Sequence, residues 1–583
     1  MKKNAIFAVA VGFALLLMLV SSAIAGEDNE TVNKYSLWVG AHYTDFSDYT
    51  KKVGEYDLGN SEGLPEFAGK MFSRSANSIF RMYGHYYNDQ NIYGVANATV
   101  SDKFKAAFMY RSLVHRSGQD MLANLNAREY FPDAAPPGLG GKTLTHEILD
   151  PGADYDVHRQ EILTKMEVLL SERNNVRMMA AHRSILKDGT EQKMSNDHCY
   201  GCHTTSRTGK VETRQHQFET GIDADVKEFN VGYRFGYRHF QSNASDAYGY
   251  WSVAKHPGSN DPKWEPEFGS RVLFDDTTLA FGVLPETEKM SHKLRLKGDV
   301  GKGNLAGSFA YSRAENKSTT LSTDAYAGAA RYAIPLSPKM RLLAKMSMSR
   351  VTAEDPFIDL PIFRAGAADG NEKDFDYIRY STLDRSEFKA SAELITRVNP
   401  RWTLSLLAGY EMNNRDDYIA YDDGTKTKKM IGQAKLRYRK GLRYSSYLKY
   451  RFESISDPFV SARGLFESSG YGVLVPAVTG SNWVFYWQRE ALRYQDITSM
   501  PTQVHNFEWR STWHPTKTLS ANLGLKGKLD KNGDLDSLDV EHTSLVPHAY
   551  LSLVPNTKWT VTTGYTYNLD KSRLPVAVAL FDG

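Results

Sequence analysis

A two-residue alternation of apolar and polar side chains constrains this chain more than any other feature of its sequence. Across 293–300, Leu294 and Leu296 alternate with basic residues. The same period recurs in four further segments: 231–238, 342–349, 434–439 and 521–529. Successive side chains of a β-strand point to opposite faces, so this period predicts strands with one apolar face and one polar face. We therefore expect an all-β fold.

The lengths and spacing of these segments favour a membrane barrel over a soluble sheet. Each alternating run lasts about 9 to 13 residues, which is what a tilted strand needs to cross a bilayer. Some runs are joined by short polar turns: 101–103, 172–174, 336–339, 399–401, 439–441, 515–517 and 555–557. Others are joined by long connections: 116–156, 186–211, 241–269, 352–382, 455–481 and 530–543. Bacterial outer-membrane barrels have short turns on one side and long loops on the other, so we expect a large transmembrane antiparallel β-barrel of about 20 to 26 strands.

Composition agrees with strands that meet lipid on one face. Aromatic residues make up 12% of the chain, including 34 tyrosines, and aromatic side chains form girdles at both interfaces of such barrels. After residue 25, no apolar run is long enough for a transmembrane helix. The net charge is only +3, which gives no reason to expect nucleic acid as a partner. The partner that composition implies is the lipid of an outer membrane.

The first residues predict export from the cytoplasm. Lys2 and Lys3 precede an uncharged apolar run over 5–20, and Ala23-Ile24-Ala25 forms a small-x-small cleavage pattern before Gly26. This arrangement is typical of a secretory signal peptide, and the run is a little short for a spanning helix. We therefore expect a signal peptide over 1–25 and a mature barrel over 26–583, exported through the periplasm to the bacterial outer membrane.

The polar face of the alternating segments is often basic. The residues concerned are Arg234, Arg238, Lys293, Arg295, Lys297, Lys435, Arg437, Arg443, Lys449, Arg451, Lys526 and Lys528. In a barrel these side chains point into the lumen, because a charge on the lipid face costs about 2–4 kcal/mol at mid-bilayer. Two interpretations remain open. The favoured one is a water-filled lumen whose charge is balanced by acidic loops, and the other is a lumen that receives an anionic guest such as haem propionates.

One motif carries chemistry. The chain has two cysteines, and both lie in Cys199-Tyr200-Gly201-Cys202-His203. In an exported protein, cysteines are expected to be oxidised, bound to metal or otherwise covalently occupied. The C-x-x-C-H spacing predicts one covalent haem c, in which Cys199 and Cys202 add to the haem vinyl groups and His203 is the proximal ligand of the iron.

Two other interpretations of the motif compete with haem. A reversible C-x-x-C disulfide of the thioredoxin kind needs a βαβ setting, whereas the polar residues around this motif indicate a loop between strands. A zinc site would need a fourth ligand beyond two cysteines and one histidine. We expect the motif to lie in a haem-binding loop at about 186–211, a stretch read from the sequence as a connection.

The sixth ligand of the iron is open at the level of sequence. His216 and His182 are the first candidates, because they lie on the two predicted strands that flank the haem-binding loop, near its mouth. His198, His158 and Met194 are further candidates. A second histidine would give a low-potential electron-transfer haem, whereas methionine would raise the potential.

These features together resemble the MtrB/PioB-type outer-membrane barrels of porin–cytochrome conduits, and most closely their haem-motif-bearing members. The resemblance covers nearly the whole mature chain as architecture, and its most specific part is the hairpin over 176–221 with the C-x-x-C-H in its connection. It implies a multihaem c-type cytochrome as partner, periplasmic or at the outer surface, threaded through or docked at the lumen. It also implies that Cys199, Cys202 and His203 hold haem.

The sequence therefore predicts a porin-like component of an extracellular electron-transfer conduit, carrying one c-type haem. The alternative is a passive outer-membrane diffusion porin whose C-x-x-C is a loop disulfide. An enzyme is not expected, because the chain contains no G-x-S-x-G elbow, no phosphate-binding P-loop and no H-E-x-x-H zinc motif.

Overall fold

The computed structural model describes most of the predicted barrel. The described residues are 31–43, 55–56, 63–121, 146–196, 204–251, 277–358, 363–364, 372–373, 377–378, 383–415, 425–458, 467–468, 473–476, 483–486, 500–532, 540–556 and 558–574. The predicted signal peptide over 1–25 and the motif Cys199, Cys202 and His203 lie outside them.

Every regular element in the described part of the chain is a β-strand. The strands are β1 Val32–Tyr43, β2 Gly63–Arg74, β3 Ser78–Tyr86, β4 Ile92–Val100, β5 Phe104–Ser117, β6 His146–Ile148, β7 Tyr155–Ser171, β8 Val176–Asn196, β9 Thr204–Val226, β10 Phe229–Ser242, β11 Ala247–Trp251, β12 Thr277–Phe281, β13 Thr287–Val300, β14 Gly303–Asn316, β15 Ser322–Ser337, β16 Met340–Ala353, β17 Phe357–Ile358, β18 Phe363–Arg364, β19 Glu372–Lys373, β20 Tyr377–Ile378, β21 Arg385–Arg397, β22 Trp402–Arg415, β23 Thr425–Lys440, β24 Tyr444–Ser456, β25 Glu467–Ser468, β26 Val473–Pro476, β27 Trp483–Tyr486, β28 Gln503–Trp513, β29 Leu519–Asn532, β30 Val540–Asn556, β31 Trp559–Thr566 and β32 Leu569–Arg573. Within these ranges, no helix is long and apolar enough to cross a membrane.

The long strands form one sheet of 23 strands. Consecutive long strands pair antiparallel along the chain, and the last of these, β30, pairs with both β31 and β32. The one parallel pairing in this sheet joins β6 to β9. This antiparallel meander is the wall of a large β-barrel and confirms the predicted fold class.

The register between the strands shows which residues lie on the same face of the wall. Residues directly opposite each other on neighbouring strands share a face, so Leu294, Phe309 and Met348 belong to one row on the apolar face. This face is open to the surroundings, with Leu294 47% and Met348 63% exposed. On the charged face, Ile431 and Val504 are buried. The charged face is therefore the enclosed, inner one.

An exposed apolar face on strands of this length is the arrangement of a transmembrane barrel. Lipid surrounds its outer face, and the polar residues line the lumen. For an exported chain, this architecture belongs in the bacterial outer membrane. The sequence predicts that Lys293, Arg295 and Lys297 of β13 point into the lumen. They lie on the inner face together with the basic residues predicted to do so on β23 and β29.

Around β3–β5 the apolar face is packed rather than exposed. Phe80, Phe108 and Tyr110 are 2%, 8% and 6% exposed and form a cluster with three alanines, Ala96, Ala98 and Ala106. Small and aromatic side chains face each other across the strands, as in Ala96 opposite Phe108. This cluster is a compact hydrophobic core within the described wall.

The connections separate into two ends, as the sequence predicts. Short turns such as 101–103, 172–175 and 441–443 close one end of the wall, and the long connections lie at the other. One predicted connection is wrong in extent. The stretch 186–211 is mostly strand, because β8 continues to Asn196 and β9 begins at Thr204. The connection that carries the C-x-x-C-H motif is therefore limited to 197–203.

Candidate functional site

The hairpin of β8 and β9 projects beyond the wall. The two strands pair continuously from Arg177 opposite Asp223 to Asn196 opposite Thr204. Their neighbours stop earlier, because β7 pairs with β8 only as far as Gly189, and β10 pairs with β9 only as far as Thr213. At roughly 3.3 Å per residue, the part beyond both neighbours is about 25 Å long. The residues of the motif connect the strands at the far end of this projection.

The donor set of the motif fits a c-type haem at this place. The pairing of Asn196 with Thr204 brings the two ends of the connection within about 5 Å of each other. Two thiols and an imidazole within five residues satisfy the covalent and proximal positions of one haem. Covalent attachment would suit a haem at a hairpin tip, because it does not depend on an enclosing barrel core. No group of three or more metal-ligating side chains occurs among the described residues.

A segment of the long connection between β5 and β7 braces one side of the projection. Strand β6 pairs in parallel with β9, with His146 opposite Thr204, and the N–H of Leu149 donates to the carbonyl of Ser206 at 2.9 Å. The Asp150 carboxylate then accepts the N–H of Thr208 at 2.7 Å. This hydrogen bond lowers the pKa of Asp150 below its usual range, because it stabilises the charged form.

A second brace holds β8. The side chain of Gln192 accepts the backbone N–H of Asp120 at 2.7 Å and donates to the Asp120 carbonyl at 2.9 Å. The same amide nitrogen donates to the hydroxyl of the fully buried Ser206 at 2.6 Å, which links β8 to β9. These bonds hold the projecting hairpin in a defined position.

The opposite face of the hairpin contacts the β11–β12 hairpin. The Lys193 ammonium donates to the carbonyl of Gly282 at 3.4 Å. The Arg207 guanidinium lies over the Phe281 ring, 5.9 Å from its centroid. Loop segments therefore support the projection on both faces.

The structure separates the two first candidates for the sixth ligand from the motif. His182 and His216 stack with ring centroids 5.8 Å apart, and Phe218 stacks on His182 at 4.5 Å. Along β9, His216 lies twelve residues from Thr204, or about 40 Å at 3.3 Å per residue. Since His203 is covalently next to Thr204, neither imidazole reaches an iron bound there. The prediction that they lie near the mouth of the haem-binding loop is wrong.

The other candidates lie at different heights. His158 is 6% exposed and opposite Asp188, about 26 Å below the end of β8. Met194 lies two residues from that end, opposite Ser206, and is 48% exposed. Of the candidates in the described part of the chain, Met194 lies nearest the connection. His198 lies outside the described residues.

Sequence reasoning missed His146. The parallel pairing of β6 with β9 brings its backbone opposite Thr204, next in sequence to the predicted proximal ligand. Nothing in the local sequence signals this placement, because residues 58 positions apart meet there only through the tertiary fold. Its position within the predicted connection 116–156 was the only indication that it lies at the same end of the barrel.

A cavity of about 890 Å³ opens on the inner wall below the projection. Among the residues that line it are His85 and His115, whose Nε2 atoms each contact a carboxylate at 2.7 Å, from Glu66 and Glu55 respectively. Each carboxylate fixes the orientation of its imidazole. The base of the hairpin therefore has an inner surface with polar, titratable groups that sequence reasoning did not single out.

Comparison with known proteins does not identify a family for this chain. No protein-family model matches the chain, and no curated protein matches it. The chain is similar in shape to the FrpB iron transporter from Neisseria meningitidis (F3-3 variant), with a TM-score of 0.45 and 9% identity over 96% of this chain and 81% of that chain. It is similar to the siderophore receptor PirA from Acinetobacter baumannii, with a TM-score of 0.40 and 10% identity over 93% and 80%.

Proposed function

We propose that this protein is the outer-membrane barrel of an electron-transfer conduit and carries one c-type haem at the tip of its β8–β9 hairpin. Cys199 and Cys202 would hold the haem covalently, and His203 would be the proximal ligand. The observation that supports this best is the position of the connection 197–203. It joins two strands that rise about 25 Å past their neighbours.

The partner in this proposal is a multihaem c-type cytochrome that docks in or at the lumen. A single haem at one end of the barrel would relay electrons only if other redox centres continue the path across the membrane. The basic inner wall and the width of a barrel of this size suit a guest in the lumen, since barrels of about 22 strands hold a plug. When bound, the haem supplies one-electron redox chemistry.

The described residues have a positioning role in this proposal. The ladder between β8 and β9 sets the height of the tip above the wall. Gln192 and Asp150 tie that ladder to the loop segments beside it, which restricts sideways motion. A fixed tip keeps the distance from the haem to a docked partner constant, and electron transfer depends on that distance.

The test is a set of variants expressed with a c-type cytochrome maturation system. We expect the wild-type protein to show covalent haem staining and an intact mass increased by one haem. Cys199→Ala with Cys202→Ala should lose both signals and still run as a heat-modifiable barrel. The matched control is His182→Ala with His216→Ala, which should keep the haem and the wild-type visible spectrum because these side chains lie far from the motif.

Two results would contradict the proposal. A wild-type mass without haem that lacks the two thiol hydrogens would support the alternative, a passive diffusion porin with a loop disulfide. A haem-loaded barrel from the native membrane with no cytochrome in the same complex would contradict the conduit and leave the haem site standing.

A further inference from the structure

Carboxylates are unevenly distributed over the inner wall. Strands β10 and β13–β16 carry a group of basic side chains on the inner face, which we name the basic wall: Arg234, Arg238, Lys289, Lys293, Arg295, Lys297, Arg331, Arg341 and Lys345. The same face of these five strands carries one carboxylate, Asp299, next to the turn after β13. Asp223 of β9 pairs with Arg234 and Arg295, with an N–O distance of 2.9 Å to Arg295.

The other seven members of the basic wall form no ion pair with any described residue. The Nε atom of Arg238 is buried and has no hydrogen-bond partner within the described ranges. Like charges held together on one wall repel each other, and a lumen with low-dielectric walls strengthens the field that they create. The basic wall is therefore poised to attract negative charge.

The wall of β21–β29 differs, because carboxylates lie among its basic residues. The inner face there carries Glu387, Glu393, Glu411, Glu453, Glu508 and Asp530. They form ion pairs on the wall itself, such as Lys449 with Glu508 at 3.2 Å and Lys429 with Glu453 at 3.3 Å. These carboxylates neutralise part of the basic charge on this side, whereas a single carboxylate lies on the same face of the strands of the basic wall.

Small side chains cover the middle of the basic wall. The inner residues of β14 and β15 include Ala306, Ser308, Ala310, Ala327 and Ala329. A cavity of about 540 Å³ lies over Ala306, Ser308 and Ala329. Its charged lining consists of Arg295, Lys297, Arg331, Lys345, Lys389 and one carboxylate, Glu411. A neighbouring cavity of about 270 Å³ is lined by Arg238, Lys289 and Lys293. An occupant can therefore approach the backbone closely with basic side chains on both sides.

We propose that the basic wall binds the acidic face of a protein that occupies the lumen. This inference rests on the proposed function, in which that protein is the cytochrome, and it adds the location and the chemistry of the contact. Charge complementarity argues for the acidic face, since the wall itself supplies almost no counter-charge. The occupant would neutralise charges that the described strands leave unpaired.

The dimensions favour a protein surface over a small anion. Four strand spacings of about 4.8 Å separate β10 from β16, and Lys289 lies eight residues from Lys297, about 26 Å along the strand. The resulting area of about 500 Å² is of the same order as the roughly 800 Å² that each partner buries in a standard interface. A single small anion cannot contact charges spread over this area.

The test measures binding of fluorescent poly-glutamate to the detergent-purified barrel by anisotropy. The variant Lys293→Glu, Lys297→Glu, Lys345→Glu should bind about tenfold or more weakly, and wild-type binding should weaken steeply as salt rises. The charge-matched control is Lys435→Glu, Arg437→Glu, Lys526→Glu on the inner face of β23 and β29, which should retain most of the affinity. Heat-modifiable migration checks that each variant is folded.

Each other outcome overturns the inference. An equal loss in both variants would show a general field of the lumen rather than a binding surface. No loss in either would remove the basic wall as a site. If free glutamate, at the same concentration of glutamate residues, competes with poly-glutamate for binding, the wall is a site for small anions. Because this assay needs no haem and no cytochrome, a failure of the proposed function is recognised separately, by the absence of haem or cytochrome in the wild-type complex.

Discussion

The Asp150 side chain ties the long connection after β5 to the projecting hairpin by a charged hydrogen bond. Its carboxylate accepts the N–H of Thr208 at 2.7 Å, and this bond lowers its pKa. A group with a lowered pKa in the folded state contributes stability above its unfolded value, and the contribution is lost as pH falls through the folded value. The contact is therefore complete at neutral pH and disappears in acid.

We expect Asp150→Ala to expose the Thr208 amide and to remove the pH dependence of its protection. The protection factor of this amide, measured by hydrogen exchange, should be high in the wild-type protein at pH 7. It should fall when the pH is lowered below the usual pKa range of a carboxyl group. The variant should show low protection at both pH values. Unchanged protection in Asp150→Ala would show that β8 and β9 hold this amide without the carboxylate.

His182 and His216 show what residue-level reasoning misses. Because they lie near the motif in sequence, the two histidines were candidate ligands of the iron. The strands place them about 40 Å from the end of the hairpin that carries the motif. Residues that are separated along one strand are also far apart in space, because each residue adds a fixed rise along the strand. His146 is the converse case, distant in sequence and placed beside Thr204.

At the scale of the elements, Gly189 marks the point at which β8 leaves β7. Its φ is +149°, a conformation that L-residues rarely adopt, and an added Cβ would lie 2.0 Å from the carbonyl oxygen of Asp156. Beyond this position β8 pairs only with β9. Glycine therefore permits the close approach of the two strands at the base of the projection.

We expect Gly189→Ala to loosen the hairpin base, at a cost of about 1–3 kcal/mol for the strained backbone together with displacement of Asp156. Limited trypsin digestion should cleave the projecting hairpin faster in this variant than in the wild-type protein. Gly84→Ala is the control, because an added Cβ at Gly84 meets nothing within 4 Å. Equal cleavage rates for the two variants would mean that the close approach at Gly189 relaxes at little cost.

The elements also show where the alternation pattern stops being informative. The sequence predicts the wall strands and most of their turns, because lipid on one face and water on the other impose the two-residue period. Residues 190–196 and 204–212 lack that period, since the projection has no lipid-facing side. This is why the sequence predicted a long connection where β8 and β9 continue.

At the scale of the whole molecule, the packed cluster around β3–β5 should matter more for stability than apolar residues elsewhere on the same face. Phe108 is 8% exposed inside this cluster, whereas Phe309 on β14 is 49% exposed. Truncation of a buried phenylalanine removes its contacts and leaves a cavity, which costs about 3–5 kcal/mol. Truncation of the exposed one leaves no cavity.

We therefore expect Phe108→Ala to lower the midpoint temperature of heat-modifiable unfolding clearly more than Phe309→Ala. Semi-native electrophoresis over a temperature series measures both midpoints under the same detergent. The pair shares residue type and face, so the comparison isolates burial. Equal shifts would indicate that the cluster adds no stability beyond that of any apolar side chain on this face.

The sequence by itself determined the class of fold, the strand faces and the short turns, because these depend on neighbours along the chain. It also singled out Cys199, Cys202 and His203 as the chemical motif, which remains a prediction. Only the tertiary structure decided the height of the β8–β9 hairpin, the placement of His146 and the charge balance of the inner wall. These depend on the register between strands that are distant in sequence, and alternation within one strand carries no information about which residue lies opposite on the next.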